Sequence, residues 1–328
     1  MEDAHGRALQ RELYPKNPPN TCKRGADHVF GIDFGTSTLK AVIRIDDDQG
    51  HVLAVPFRIL AGIAGYLLPT ILYIDEDGGY TLDPTKEVVH SSIKLALMKD
   101  ADNPTLRKFA VVFLALAIRQ ARAWFFNEFA DEYKDANISW EVRIGCPSNK
   151  DQDAINDLWL EMLMQAWRLA EHPGPITDDV AQRYVSEEPD PEDEELSLFR
   201  AIPEVFATGQ GYRRIFPPEN RFDTDIIIVD IGSGTLDISA FAISDLWPDN
   251  RDRIGVFCCE VRPLGTSIAY QTQLQYLHRL LHQALWHETF PDQQATLQSL
   301  KEEVAKEIGQ ALRQPLLTYY EREFRTSL

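Results

Sequence analysis

Two glycine turns, each lying between an apolar run and a second strand-like run, constrain this chain more than any other feature. The first reads Gly31-Ile32-Asp33-Phe34-Gly35-Thr36-Ser37-Thr38; the second reads Val229-Asp230-Ile231-Gly232-Ser233-Gly234-Thr235-Leu236-Asp237. In both, an Asp stands near the end of the apolar run, and Gly and hydroxyl residues come after it. Gly lets the backbone turn tightly and approach a ligand closely. Successive N–H groups in such a turn form a concavity suited to phosphate oxygens. The hydroxyls of Thr36, Ser37, Thr38 and Thr235 add donors. A carboxylate at the strand end offers a hard oxygen to Mg2+, usually through the ion's retained waters. One such turn is more often a plain turn. Two in one chain point to a shared task.

The element after each turn excludes the commoner phosphate loops. No G-x-x-x-x-G-K-[ST] occurs, and residues 39–45 and 236–243 read as strand, not helix. The dinucleotide-binding fingerprint fails for the same reason, because its glycines open a helix. Charge narrows the partners. With 33 Lys and Arg against 51 Asp and Glu, the formal net charge is -18, so a nucleic-acid partner is not expected.

Residues 1–26 are polar, contain Pro15, Pro18 and Pro19, and read as a flexible arm. Strand-like runs occupy 29–34, 39–45, 51–60 and 67–74, with a turn at 46–50. Residues 105–129 lack Gly and Pro and predict a long helix; 141–145 predicts a strand that stops at Pro147. Residues 151–170 predict an amphipathic helix with Ile155, Leu158, Trp159, Met162, Leu163 and Trp167 packed inward. The acidic stretch 186–195, with two prolines, reads as a solvated excursion and not a metal site. Residues 267–286 and 294–324 predict helices, the second interrupted by Pro315.

The cysteines, Cys22, Cys146, Cys258 and Cys259, include no CxxC pair, which argues against a disulfide framework or zinc site and for a reducing compartment. Residues 1–13 are charged and lack the apolar core of a signal peptide. The richest apolar stretch, 109–118, falls short of the roughly 18 residues of a membrane span and is flanked by Arg107, Lys108 and Arg119. A cytoplasmic location without a membrane partner is expected. His28 reads as structural. His278, His282 and His287 read as solvent-facing, since no Glu-x-x-His context supports a metal pair.

The first turn resembles the phosphate-1 motif of the actin/hexokinase/heat-shock ATPase superfamily. The second resembles its phosphate-2 motif, most closely that of the 70-kDa heat-shock chaperones, where the order is Asp-Leu-Gly-Gly-Gly-Thr-Phe-Asp; Ser233 departs from it. Weaker likenesses fall in the same order along the chain. Leu68-Pro69-Thr70 is similar to the chaperones' Ile-Pro-Ser, and Ser91-Ser92-Ile93-Lys94 to the stretch bearing their catalytic lysine. Arg143-Ile144-Gly145-Cys146-Pro147 is similar to their Thr-Val-Pro-Ala strand, Ile202 to Ala207 to their Glu-Pro-Thr-Ala-Ala segment, and Leu264-Gly265-Thr266 to their Leu-Gly-Gly.

The resemblance implies an α/β, two-lobed actin-like ATPase (ribonuclease H-like) fold, each lobe a mixed sheet flanked by helices, with Mg-ATP in the cleft. Lobe I would span 27–222 and a partial lobe II 223–328. Asp33 and Asp230 would face each other across the phosphates and hold hydrated Mg2+. Gly35, Thr36, Ser37 and Thr38 would cradle phosphates from one lobe, and Gly232, Ser233, Gly234 and Thr235 from the other. Lys94 would stabilise transition-state charge or orient the attacking water, Glu204 would position that water or the metal, and Asp237 would tune the second loop. The implied activity is hydrolysis of ATP to ADP and phosphate in a chaperone-like switch, read by a client polypeptide or co-chaperone. The alternatives are a sugar-type small-molecule kinase of the superfamily, or a degenerate nucleotide-binding or interaction module. The family's Gly-rich adenosine motif does not occur before Leu328, so either a fragment of a longer protein or a truncated relative is expected.

Overall fold

The computed structural model describes residues 25–45, 51–60, 62–133, 137–148, 152–187, 198–215, 224–244, 253–262 and 265–266. Residues 1–24 of the expected arm, the acidic residues 188–195, the predicted helices at 267–286 and 294–324, and His278, His282 and His287 lie outside this set, while Gly25 and Ala26 are strand and not arm. The chain divides into two compact units, residues 1–227 with 239–260, and residues 228–238 with 261–328. The architecture is mixed α/β.

The first unit is organised by strand alternation. β1 (Gly25–Phe34) and β2 (Thr38–Ile45) form an antiparallel hairpin whose register runs from His28↔Ile45 to Phe34↔Leu39. Leu39, Ala41, Ile43 and Ile45 are buried while Lys40, Val42 and Arg44 are exposed, the period-two pattern of a strand with one face on a core. β3 (Val52–Ala54) and β4 (Leu68–Pro69) each pair antiparallel with β2. On the other side of β1, β8 (Asn137–Cys146) pairs parallel to it, and β9 (Phe199–Pro203) pairs parallel to β8. The order β3-β2-β1-β8-β9 makes a mixed sheet.

Parallel neighbours need long crossovers, and here helices supply them. α1 (Ile93–Lys99), α2 (Pro104–Glu128) and α3 (Ala130–Tyr133) precede β8; α4 (Gln152–Ala170) and α5 (Asp178–Ser186) separate β8 from β9; α6 (Glu204–Ile215) comes after β9. α2 starts sharply because the Asn103 side chain accepts from the N–H groups of Thr105 and Leu106, with Pro104 in the first turn. By length and composition α2 could cross a bilayer, yet Ala110 to Ile118 are buried in the core, so its apolarity is consumed by packing. Phe34 joins strand to helices, stacking on Phe113 at 5.7 Å and meeting Trp159 edge-on at 5.5 Å. Buried Arg119 donates to the carbonyls of Leu169, Ala170, His172 and Gly174, tying down the end of α4 and the turn that comes after it.

Two of the predicted strands are interrupted. Within 51–60 only β3 forms; the N–H groups of Phe57 and Arg58 turn back to the Gly65 carbonyl, and Gly62–Tyr66 makes a 3-10 turn. The run 67–74 breaks at Thr70, with β4 on the main sheet and β5 (Ile71–Ile74) at the centre of a small sheet with β6 (Tyr80–Thr81) and β7 (Glu87–Ser91). That small sheet is tied to α5. The Tyr80 hydroxyl and the Lys108 ammonium both donate to Asp178, at 2.7 and 2.6 Å, and hold its carboxyl below the usual range. A separate three-stranded sheet has the order β10 (Thr224–Ile231), β11 (Leu236–Ser244), β12 (Arg253–Arg262).

Candidate functional site

The first glycine turn closes the β1–β2 hairpin. The Gly35 N–H donates to the Thr38 carbonyl at 3.0 Å. A Cβ on Gly35 would lie 2.5 Å from that same carbonyl oxygen, so the turn admits no side chain there. Asp33 projects from the sheet face opposite the core and meets Lys40, its partner in the strand register, at 2.6 Å; both side chains are about half exposed. The turn carbonyls are occupied. Thr70, 1% exposed, donates its hydroxyl to Gly35 O at 3.0 Å and its N–H to Ser37 O at 2.9 Å. Among the described residues, the Thr36 N–H has no hydrogen-bond acceptor.

Thr70 also leads to the second element of the site. Its carbonyl accepts from the Ser92 N–H at 3.1 Å. Ser92 has φ 55° and ψ 42°, a left-handed conformation that is unfavourable for a residue with a Cβ, and it opens α1. In the first turn of that helix, Lys94 is buried and donates to Glu204 Oε1 at 2.7 Å, 5.7 Å from the Trp159 ring centre. Glu204 is the first residue of α6, directly after β9. The Ser148 hydroxyl accepts from the Val205 N–H, and a carboxylate in a first helical turn suits the helix dipole. Gly145 lies against Glu204: a Cβ there would sit 3.6 Å from Glu204 Cγ and 3.7 Å from the Ile32 carbonyl, both ordinary contacts. The Lys94–Glu204 pair therefore stands where the parallel strands β1, β8 and β9 end, the edge at which open α/β sheets place their ligands.

Cys146 shares this corner. It is fully buried, and burial first, then the nearby Glu204 charge, pushes its thiol up to about 12 against a smaller opposing effect of Lys94. It donates to Asn156 Oδ1 at 3.2 Å and belongs to the packing around the pair.

The second turn, in the second unit, repeats the closing bond of the first and is likewise held by a threonine. The Gly232 N–H donates to the Thr235 carbonyl at 2.9 Å. Thr266 donates its N–H, and at 3.4 Å its hydroxyl, to the Gly232 carbonyl. The Thr235 hydroxyl donates to Asp237 Oδ2 at 3.3 Å. Asp230 is exposed, and Gly234 and Thr235 are buried. Gly265 lies flat on the turn; a Cβ there would fall 2.2 Å from Ser233 O.

The structure thus gathers Asp33, Gly35, Thr36, Ser37 and Thr38 in one turn and Asp230, Gly232, Ser233, Gly234 and Thr235 in another, and brings Lys94 to Glu204 across 110 positions of sequence. Sequence reasoning missed Lys40, Thr70, Gly265 and Thr266 as parts of these turns. Lys40 had a signal: in a hairpin closed by residues 35–38 it must lie opposite Asp33. Thr70 was marked only by its likeness to the chaperones' Ile-Pro-Ser, which does not name its partners, because these are set by tertiary contact. Neither a scan against protein-family models nor a search of the curated proteins returned a match.

Proposed function

We propose that this chain is the ATP-binding and ATP-hydrolysing part of an actin-type ATPase related to the 70-kDa heat-shock chaperones. The observation that carries this reading is the 2.7 Å Lys94–Glu204 pair at the ends of β1, β8 and β9. Resemblance of short motifs nominated those two residues independently, and a random pair of surface charges that far apart in sequence has no reason to meet in a buried corner. The sheet order β3-β2-β1-β8-β9, antiparallel and then parallel, also supports a ribonuclease H-like lobe. The twin glycine turns support phosphate binding.

In this reading the N–H groups of the turns and the hydroxyls of Thr36, Ser37 and Thr38 hold phosphate oxygens, with Gly232, Ser233, Gly234 and Thr235 acting alike in the second unit. An exposed carboxylate suits a hydrated Mg2+, which keeps most of its waters, so Asp33 and Asp230 fit the ion. Bound there, Mg2+ would supply charge neutralisation at the phosphates. Lys94 carries positive charge toward the transferred phosphoryl group, and Glu204 orients the attacking water while holding Lys94 in place. Hydrolysis would then be coupled to a partner such as a client polypeptide or co-chaperone. Ser233 in place of a third glycine is compatible with the turn, since its carbonyl is the part that packs against Gly265.

Phosphate release from Mg-ATP, measured with and without unfolded peptide, tests the proposal. Release that depends on Mg2+ and rises with peptide is expected. Release only in the presence of a sugar alcohol would replace the chaperone reading with the kinase one, and absence of both binding and release would leave a degenerate module.

A further inference from the structure

Each turn binds its glycine N–H internally, so its capacity for an anion depends on which way the remaining peptides face. A trans peptide is planar, with its C=O and N–H antiparallel. Fixing the Gly35 carbonyl therefore fixes the Thr36 N–H in the opposite direction, and fixing the Ser37 carbonyl fixes the Thr38 N–H. Thr70 fixes both carbonyls at once, through its hydroxyl and its N–H. Its own carbonyl holds the Ser92 N–H at the entry to α1, two residues before Lys94. A peptide flip at 35–36 would present a carbonyl where the N–H now points, and would cost the buried Thr70 hydroxyl its acceptor.

We propose that Thr70 is a positioning residue that locks the first turn with its N–H groups facing outward and ties that turn to the helix carrying Lys94. As a role in nucleotide binding this rests on the ATPase function proposed for the chain; as a lock on the turn it stands on the hydrogen bonds alone. The second turn supports it independently, because Thr266 contacts the Gly232 carbonyl with the same pair of groups and so sets the Ser233 N–H. The two threonines stand 35 and 34 positions beyond the glycines they hold.

Thr70→Val keeps the shape and removes the hydroxyl; Thr70→Ser keeps the hydroxyl. In the full chain, hydrogen exchange of the peptides covering residues 35–38 and calorimetry with Mg-ATP are read for both. Faster exchange and about tenfold weaker Mg-ATP binding are expected for T70V, with T70S restoring both. Unchanged exchange in T70V overturns the lock, and a T70S as defective as T70V overturns the role of the hydroxyl. Altered exchange with unaltered affinity overturns the role in binding. If the unaltered chain binds no Mg-ATP, the nucleotide reading fails and exchange alone decides the lock. Should T70V not fold, Thr70→Ala, which removes the hydroxyl without placing a methyl against the Gly35 carbonyl, takes its place.

Discussion

The two glycine turns share a closing hydrogen bond and a threonine clasp but differ in where the steric constraint and the charge lie. In the first, the tight position is inside the turn, where a Cβ on Gly35 would stand 2.5 Å from the Thr38 carbonyl. In the second, Gly232 has 3.3 Å to the equivalent Thr235 carbonyl, and the tight position has moved to Gly265, packed over the turn at 2.2 Å. Seven residues beyond the strand-end Asp, the first hairpin carries Lys40, which neutralises Asp33, and the second carries Asp237, which accepts from Thr235. Under the proposed function, the first turn is the less negative and so the better seat for a phosphate, while the second, with two carboxylates within one hairpin, favours a cation.

The largest effects should come from the steric difference. Gly35→Ala and Gly265→Ala each force backbone to move and should cost about 3 kcal/mol in denaturant unfolding. Gly232→Ala should cost under about 1 kcal/mol, because 3.3 Å can be relieved by a small shift. Equal costs for Gly35→Ala and Gly232→Ala would show that the two turns are constrained alike, and the comparison would fail.

Next comes the chemistry proposed for the Lys94–Glu204 pair of the first unit. Lys94→Met should lower the rate of phosphate release by about 100-fold, the scale set by removing one preorganised charge from a developing oxyanion. Binding of Mg-ATP should change far less, since the turn is untouched. Glu204 is 30% exposed and can rehydrate, so the fold should survive the loss of its partner. A variant that binds weakly but turns over normally would place Lys94 with the binding groups and not with the transition state.

How much of this was legible beforehand depends on which forces act locally. Apolar strand-like runs anticipated β1, β2 and β8, and the Gly- and Pro-free stretch 105–129 anticipated α2, because both are short-range signals. The turns were legible for the same reason. Thr70 was hidden inside an apolar run that reads as one strand, and only the assignment of β4 and β5 to different sheets gives it the gap in which it bridges turn and helix. Lys94 and Glu204 were named by family resemblance alone; their meeting depends on two parallel crossovers, which leave no trace in local pattern. Gly265 mattered through space and not through its own backbone angle, so its role was invisible until Ser233 was seen against it.

The smallest expected effect is the most pointed test of the charge difference. The Asp33–Lys40 pair is half exposed on both sides, and such pairs contribute about 0–1 kcal/mol. Lys40→Met should therefore leave the unfolding midpoint nearly unchanged. It should still raise the sensitivity of Mg-ATP binding to Mg2+ concentration, and more so at low salt, because it frees the Asp33 carboxylate that the proposed function assigns to the ion. The matching change in the second hairpin, Asp237→Asn, removes negative charge and should lower the sensitivity of binding to Mg2+ concentration instead. If both variants shift Mg2+ dependence alike, Lys40 and Asp237 are equivalent surface charges, and the division between an anion-seating and a cation-favouring turn is lost. If the two variants shift it in opposite directions, the asymmetry is functional, and it arises from one charge inversion at the same step of two otherwise matched hairpins.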